Sequence, residues 1–449
     1  MKSSIKILGI FALAAVTFSS CTKFTQTKVY TANKPVYLSY EELRTSVAND
    51  NDRALVKPGK IFLNNDYILI NDFETGIHVY DNSSPTTPKH VGFINIPGNI
   101  DIAVKDNILY ADSYVDIVAI DISDPMNIKE ISRVNNALSY TIPSGINYGF
   151  PVSQIDRNLG VVIKYEVGEV EESCENDECG YVYYNDVAVN RGEWGGSMMS
   201  DEGTVVNFAG NSNTVRSVAN SNNQGALAGS MARFMLVDNF LYVISDESTV
   251  KVFGLNQGSL SMQASFSPWS DASGWGMIET LFKVNDYLLI GSSTGMLAYD
   301  ISNPGSPEYI SNYSHMNSCD PVVANENFAF VTLRSGTACG TTDLEQLDVL
   351  NIEDINNPYL IDSYELNHPH GLALDSPNDL LFVCDGEYGM NIYNVSNIER
   401  LLFLKNKSGD SYDVIAAYSR LHVIGDGGLI QYEYTEEGEV TELSRISLN

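Results

Sequence analysis

Basic side chains are scarce in this sequence. Only 26 Lys and Arg stand against 57 Asp and Glu in 449 residues, a formal net charge of −31. A chain so short of cations cannot neutralise a phosphate backbone over a wide surface, which excludes a nucleic-acid binder. Histidine numbers only six, and there is no H-E-x-x-H, no phosphate-cradling Gly-Lys-Ser/Thr loop and no dinucleotide fingerprint opening a helix. Beyond residue 20 no stretch is long and apolar enough to cross a bilayer, which takes about 20 residues. Amphipathic helical periodicity is almost absent as well. What is abundant is aromatic and apolar: 26 Tyr, 17 Phe and 44% hydrophobic residues, too much for a disordered chain despite the acidity. The acidic surface reads as a solvated face that discourages self-association, so a monomer is expected.

The first twenty residues stand apart. Lys2 and Lys6 precede the apolar run Ile7 to Phe18, and Ser19-Ser20 lead directly into Cys21. That order is a secretory signal, too short for a normal span, and a Cys directly after Phe18-Ser19-Ser20 resembles a bacterial lipobox. The expectation is cleavage after residue 20 and acylation of Cys21, with residues 21–55 a tether containing a short helix near Tyr40 to Val47. Removing residues 1–20 deletes two lysines and no acid, taking the charge from −31 to −33. Thr22 to Gln26 carry no acidic cluster and so leave the leaflet open. In an oxidising envelope Cys174 with Cys179, and Cys319 with Cys339, are disulfide candidates rather than zinc ligands, since no CxxC pair accompanies them. Cys384, in the run Leu380-Leu381-Phe382-Val383, reads as a buried free thiol.

Self-similarity organises the rest. Ile117-Val-Ala-Ile-Asp121-Ile-Ser-Asp124-Pro125 recurs as Met296-Leu-Ala-Tyr-Asp300-Ile-Ser-Asn303-Pro304, with weaker copies ending at Asp81, Gly254, Asn351, Asn394 and Glu433. Each is an alternating apolar strand followed by a turn, in which Asp or Asn can bond its own downstream backbone. All the intervals but one are about forty to fifty residues, the exception being the 133 between Asp121 and Gly254. Four short strands per unit, as in 99–104, 108–113, 115–122 and 128–134, are the signature of a β-propeller blade. The expected fold is all-β: a seven-bladed propeller over 56–449, six and eight blades being the alternatives. Blades begin near 59, 99, 229, 276, 318, 368 and 411, with an insertion at 135–228 between blades two and three.

These residues also resemble the LVIVD-repeat lipoproteins of Bacteroidetes-type bacteria. Similarity is carried by Gly76-Ile-His-Val-Tyr-Asp-Asn, Ile96-Pro-Gly-Asn-Ile-Asp-Ile-Ala-Val, Gly229-Ser-Met-Ala-Arg-Phe, Cys319-Asp-Pro-Val-Val, His368-Pro-His-Gly-Leu and Phe382-Val-Cys-Asp-Gly. The resemblance implies a propeller in the cell envelope, with the outer membrane the expected site, and carries no catalytic residues.

Two constellations invite a functional reading. Asp101, Glu279, Asp320, His370 and Asp413 fall at equivalent positions near the start of the first, innermost strand of their blades. Together they would ring the channel mouth. Crowded carboxylates repel unless a cation sits among them, and calcium suits such an oxygen-rich ring. The alternative is that they bond neighbouring backbone amides. Trp194, Trp275 and Tyr183 lie in or beside glycine-rich loops, where aromatic faces can take up sugars or peptides. Gly291-Ser-Ser293-Thr-Gly295 matches a nucleophile elbow but sits between two strands, where a hairpin is expected. The leading expectation is a non-enzymatic platform for an envelope protein or glycan. A metal-assisted hydrolase or lyase at the channel mouth is the alternative.

Overall fold

A computed structural model describes residues 25–50, 53–143, 145–175, 197–199, 205–207, 230, 232–272, 276–315, 321–334 and 344–448. Seven antiparallel sheets follow one another along the chain, each ordered from first to fourth strand. Their first strands are Pro58–Asn64, Ile102–Lys105, Phe234–Val237, Ile278–Val284, Val322–Ala324, Leu372–Asp375 and Asp413–Ala417. Consecutive first strands contact one another, so they line the axis of a seven-bladed propeller.

Local chemistry explains why each unit folds this way. The turn between first and second strands takes left-handed backbone at Asn65, Asp106, Asn107, Asp238 and Asn285, with φ between 49° and 60°, where Asn and Asp are tolerated best. The recurring Asp or Asn then closes the third strand. Asp81, Asp121 and Asp300 each accept the backbone N–H two residues on, at 2.9, 2.9 and 2.7 Å, and Asn351 and Asn394 do so at 3.1 Å. Bonds from the backbone and hydroxyl of Ser83 and Ser123, and from the hydroxyl and then the backbone of Ser302, hold the carboxyls of Asp81, Asp121 and Asp300 below their ordinary range. The residue between the two bonded ones drops into the core, as Ile122, Ile301 and Ile352 do.

Every blade comes from one continuous segment, so the ring closes by side-chain packing rather than by strand exchange. Ile61, Ile68 and Ile70 of blade 1 meet Ile415, Ile424 and Leu429 of blade 7. Across the same joint the amides of Asn82 and Gln431 bond reciprocally at 2.9 and 2.7 Å.

Within the segment 21–55 expected as a tether, residues 25–50 carry two strands and a short helix. Thr25–Leu38 pairs antiparallel with Val161–Glu175, over fourteen register pairs from Thr25↔Glu175 to Leu38↔Val161. The partner lies far along the chain, inside the insertion, which is why no local pattern announced the pairing. Buried Asn33 fixes the ribbon to the insertion, its Nδ2 donating to the carbonyls of Asn147 and Phe150 at 2.9 Å each and its Oδ1 accepting from Asn147 N at 2.8 Å. The short helix Tyr40–Leu43 follows, capped by Ser39 and Glu42, and Ala48–Asp50 then adds a fifth strand to blade 1. The helix is locked down at Asp116, which is fully buried. It receives Arg44 Nε at 3.0 Å, Arg133 Nη1 at 3.2 Å and the N–H of Asn136 at 2.8 Å.

The ribbon rises from the face that carries the blade-to-blade connections and the turns between second and third strands. There Leu38, Leu43 and Val161 pack on Tyr114 and Val115 of blade 2. Gly160 (φ 131°) makes this possible, because a Cβ would stand 2.0 Å from the Leu38 carbonyl oxygen. Gly160→Ala should therefore cost about 1–3 kcal/mol locally. Faster hydrogen exchange confined to 25–38 and 161–170, with the blades unchanged, is the expected reading.

Candidate functional site

The innermost strand starts converge on the axis as the repeat alignment requires. Asp101, Glu279, His370 and Asp413 are described there; Asp320 lies outside the described residues. What the alignment did not supply is the cations. Blade 1 places Lys60 at the equivalent position and blade 3 places Arg233, while Arg334 enters directly after the second strand of blade 5, Phe328–Leu333.

Asp101 is 1% exposed and Lys60 3% exposed. Lys60 Nζ donates to Asp101 Oδ2 at 2.6 Å, and the same oxygen takes the backbone N–H groups of Arg233 and Phe234 at 2.6 and 3.0 Å. One carboxylate therefore ties blades 1, 2 and 3 together. Burial pushes the Lys60 ammonium down, opposed by the charge of Asp101. Asp112 completes the cluster. Its Oδ1 accepts from Asn99 Nδ2 at 2.8 Å and from the N–H groups of Ile100 and Asp101 at 2.8 and 2.9 Å. Burial nonetheless pushes its carboxyl up to about 6.

Across the axis the arrangement differs. Asp413 is fully buried; its Oδ1 accepts from Val414 N at 3.0 Å, and its Oδ2 has no hydrogen-bond partner among the described residues. Burial drives this carboxyl well above its ordinary value, with the charge of Lys60 opposing. The buried Arg334 lies with Nη1 2.6 Å from His370 Nδ1. Burial first, and then the Arg334 charge, pushes His370 well down, leaving a neutral imidazole that accepts the guanidinium N–H. Glu279 and Glu345 supply the opposing charge to Arg334.

The structure adds cations to the expected ring: Asp101 bonds Lys60, and Glu279 supplies charge to Arg334, so these two carboxylates are not left to repel one another. Among the described residues no three His, Cys, Asp or Glu side chains converge to hold a metal. The sequence signal for Lys60 was present, since blade 1 begins near residue 59. Arg334 had none, because it follows a second strand.

Beside Asp101 the same face opens into a pocket lined by Glu74, Asp112, Tyr114, Thr141 and Arg233, between the second-to-third-strand turns and the start of the insertion. Burial raises the carboxyl of Glu74, and raises that of nearby Glu247 to about 7. The pocket therefore offers one guanidinium and two carboxyls, Glu74 and Asp112, that burial pushes toward the protonated form, a surface suited to hydrogen-bonding a polar ligand.

Cys174 is disulfide-bonded and buried. Its candidate partner Cys179, and Cys319, Cys339, Cys21, Trp194, Trp275 and Tyr183, lie outside the described residues. Cys384 is a buried free thiol, pushed well up by burial. Ser293 accepts the N–H of Met277 at 2.9 Å in a turn between the strands Tyr287–Ser292 and Gly295–Asp300. No helix follows it, and Gly295 (φ 151°) sits where a Cβ would lie 2.1 Å from the Tyr313 carbonyl oxygen, so the G-x-S-x-G match is a hairpin.

No family model matches the chain, and no curated protein matches it. Solved structures similar to it include a protein from Lactobacillus plantarum, at 12% identity and TM-score 0.48, covering 87% of this chain and 97% of that one. A putative 6-phosphogluconolactonase from Bacteroides fragilis is similar at 9% identity and TM-score 0.45, covering 86% and 94%. BamB from Moraxella catarrhalis is similar at 11% identity and TM-score 0.41, covering 88% and 99%. At these values the likeness carries nothing about function, and the reading below rests on the site.

Proposed function

We propose that this chain is an exported envelope lipoprotein, held to a membrane through acyl chains on Cys21. In this reading the propeller is a rigid, non-enzymatic platform that binds a protein or glycan on the face carrying the ribbon and the insertion. The observation that supports it most is the concentration of elaboration on that one face. Among the described residues the opposite face consists of short hairpin turns between first and second and between third and fourth strands, whereas the pocket, the ribbon and the start of the insertion lie on the other. The buried Lys60–Asp101 pair at the axis supplies rigidity and leaves these two charges engaged with one another rather than poised for catalysis.

The anchor fits this geometry. Thr25 is at the far tip of the ribbon and Leu38 at its base, so a lipid on Cys21 would hold the propeller off the bilayer by the length of the free ribbon. The segment from Thr25 to Ala32, ahead of the Asn33 clamp, would span about 25 Å at about 3.3 Å per residue. Glu166, Glu169, Glu171 and Glu172 line the second ribbon strand and would be repelled by anionic headgroups, keeping the ribbon upright. Cys21→Ser should abolish incorporation of labelled fatty acid and move the protein from the membrane to the soluble fraction. A wild-type chain that takes up no lipid label would contradict the anchor.

A further inference from the structure

We propose that blade 1 carries a site for a divalent transition-metal ion of the zinc, nickel or copper class, built on His78 and His90. His78 lies in the third strand, Gly76–Asp81, and His90 in the fourth, Lys89–Asn95. The register pairs Tyr80 with His90 and His78 with Phe93, with a bulge between Val79 and Tyr80, so the two imidazoles are diagonal neighbours on one side of the sheet. His78 Nδ1 is 3.1 Å from His90 Nε2. Two nitrogens bound at about 2.05 Å to one tetrahedral ion stand about 3.3 Å apart, so the pair already has nearly the spacing of two ligands. In the metal-free protein one ring N–H bridges the gap, and a bound ion takes the place of that proton.

What lies behind His78 strengthens the assignment. Its other nitrogen, Nε2, faces Asp72 Oδ2 at 3.6 Å. Asp72 is itself held by the Lys57 N–H at 2.7 Å. At 3.6 Å His78 and Asp72 face each other without a hydrogen bond; closing to bonding distance once Nδ1 takes up an ion would fix the ring, as carboxylates do behind ligating histidines. The rings are also walled in: Phe93 meets His78 edge-on at 4.8 Å between centroids, and Tyr80 stands 4.9 Å from His90. His78 is completely buried, whereas His90 is partly exposed, so an ion reaches the pair from solvent and keeps positions open for water or an exogenous donor. With two protein ligands the affinity would fall below that of a closed four-ligand structural site. Nothing in the axial face or the ribbon depends on this pair, so the inference stands apart from the proposed platform.

The test is calorimetric titration of the chelator-stripped full chain with Zn2+ alone, repeated with Cu2+. One saturable equivalent is expected in the wild type and in His368→Ala, which removes another partly exposed imidazole. His90→Ala, on the outer strand, should retain the fold and lose that equivalent. Asp72→Asn should weaken it about 10–100-fold while leaving the stoichiometry at one. Absence of saturable binding in the wild type, binding unchanged in His90→Ala, or loss in His368→Ala would each overturn the assignment.

Discussion

Lys60→Met should destabilise the propeller by about 3–5 kcal/mol, the usual cost of leaving one member of a buried ion pair alone. The side chain is buried and bonded at 2.6 Å to Asp101, whose carboxylate would be left with backbone donors only. Because those donors belong to blade 3, Asp101 to blade 2 and Lys60 to blade 1, the loss should extend through the ring rather than stay in one blade. Denaturant unfolding should show a lower midpoint, and hydrogen exchange should show weakened protection in the first strands of all three blades. Lys60→Met with Asp101→Asn should recover a large part of the loss, since the pair is then neutral on both sides. A single-mutant cost below about 1 kcal/mol would mean that water reaches the axis and the pair is screened.

Asp112→Asn should have the opposite effect, and only at neutral pH. The carboxyl of Asp112 is raised by burial from its ordinary 3.8 to about 6. The folded state therefore prefers the protonated acid. Its contribution is fully present below about pH 4, is lost as the pH rises through about 6, and is constant above that. The displacement corresponds to about 3 kcal/mol at pH 7. Asparagine is nearly isosteric and keeps Oδ1 for Asn99, Ile100 and Asp101. The variant should thus be more stable than wild type by up to about 3 kcal/mol at pH 7, and indistinguishable from it near pH 4. Urea midpoints of both proteins across this range decide it. A gap of constant size from pH 4 to 7 would show that Asp112 does not titrate in this window.

The fold was legible because its chemistry is local and repeated. The Asx turns after Asp81, Asp121 and Asp300, and the left-handed Asn and Asp residues in the hairpins, are set by residues within a few positions of one another. The seven blade starts inferred from them fall within about five residues of the observed strands. The ribbon was not legible, because Thr25–Leu38 finds its partner more than a hundred residues away and neither strand is half of a local hairpin. Residues 25–50 looked like a polar tether for that reason. The axis was half legible: the repeat alignment placed Asp101, Glu279, His370 and Asp413 together, but Lys60 and Arg233, near the same position in blades 1 and 3, were passed over. Arg334 reaches the same space from the end of a second strand, outside the aligned position, and only the packing of blade 5 against blade 6 brings it to His370.

The most direct test of the platform is site-specific photo-crosslinking in intact cells. Photo-reactive side chains would be placed at Tyr388 and Thr141 on the elaborated face and at Tyr418 and Met126 on the opposite one. Tyr388, Tyr418 and Met126 are 52%, 70% and 52% exposed, so accessibility does not separate the two faces. A binding face should give a discrete adduct from Tyr388 or Thr141, weakened by Gly160→Ala, and none from Tyr418 or Met126. Equal adducts from both faces, or none from either, would contradict the account.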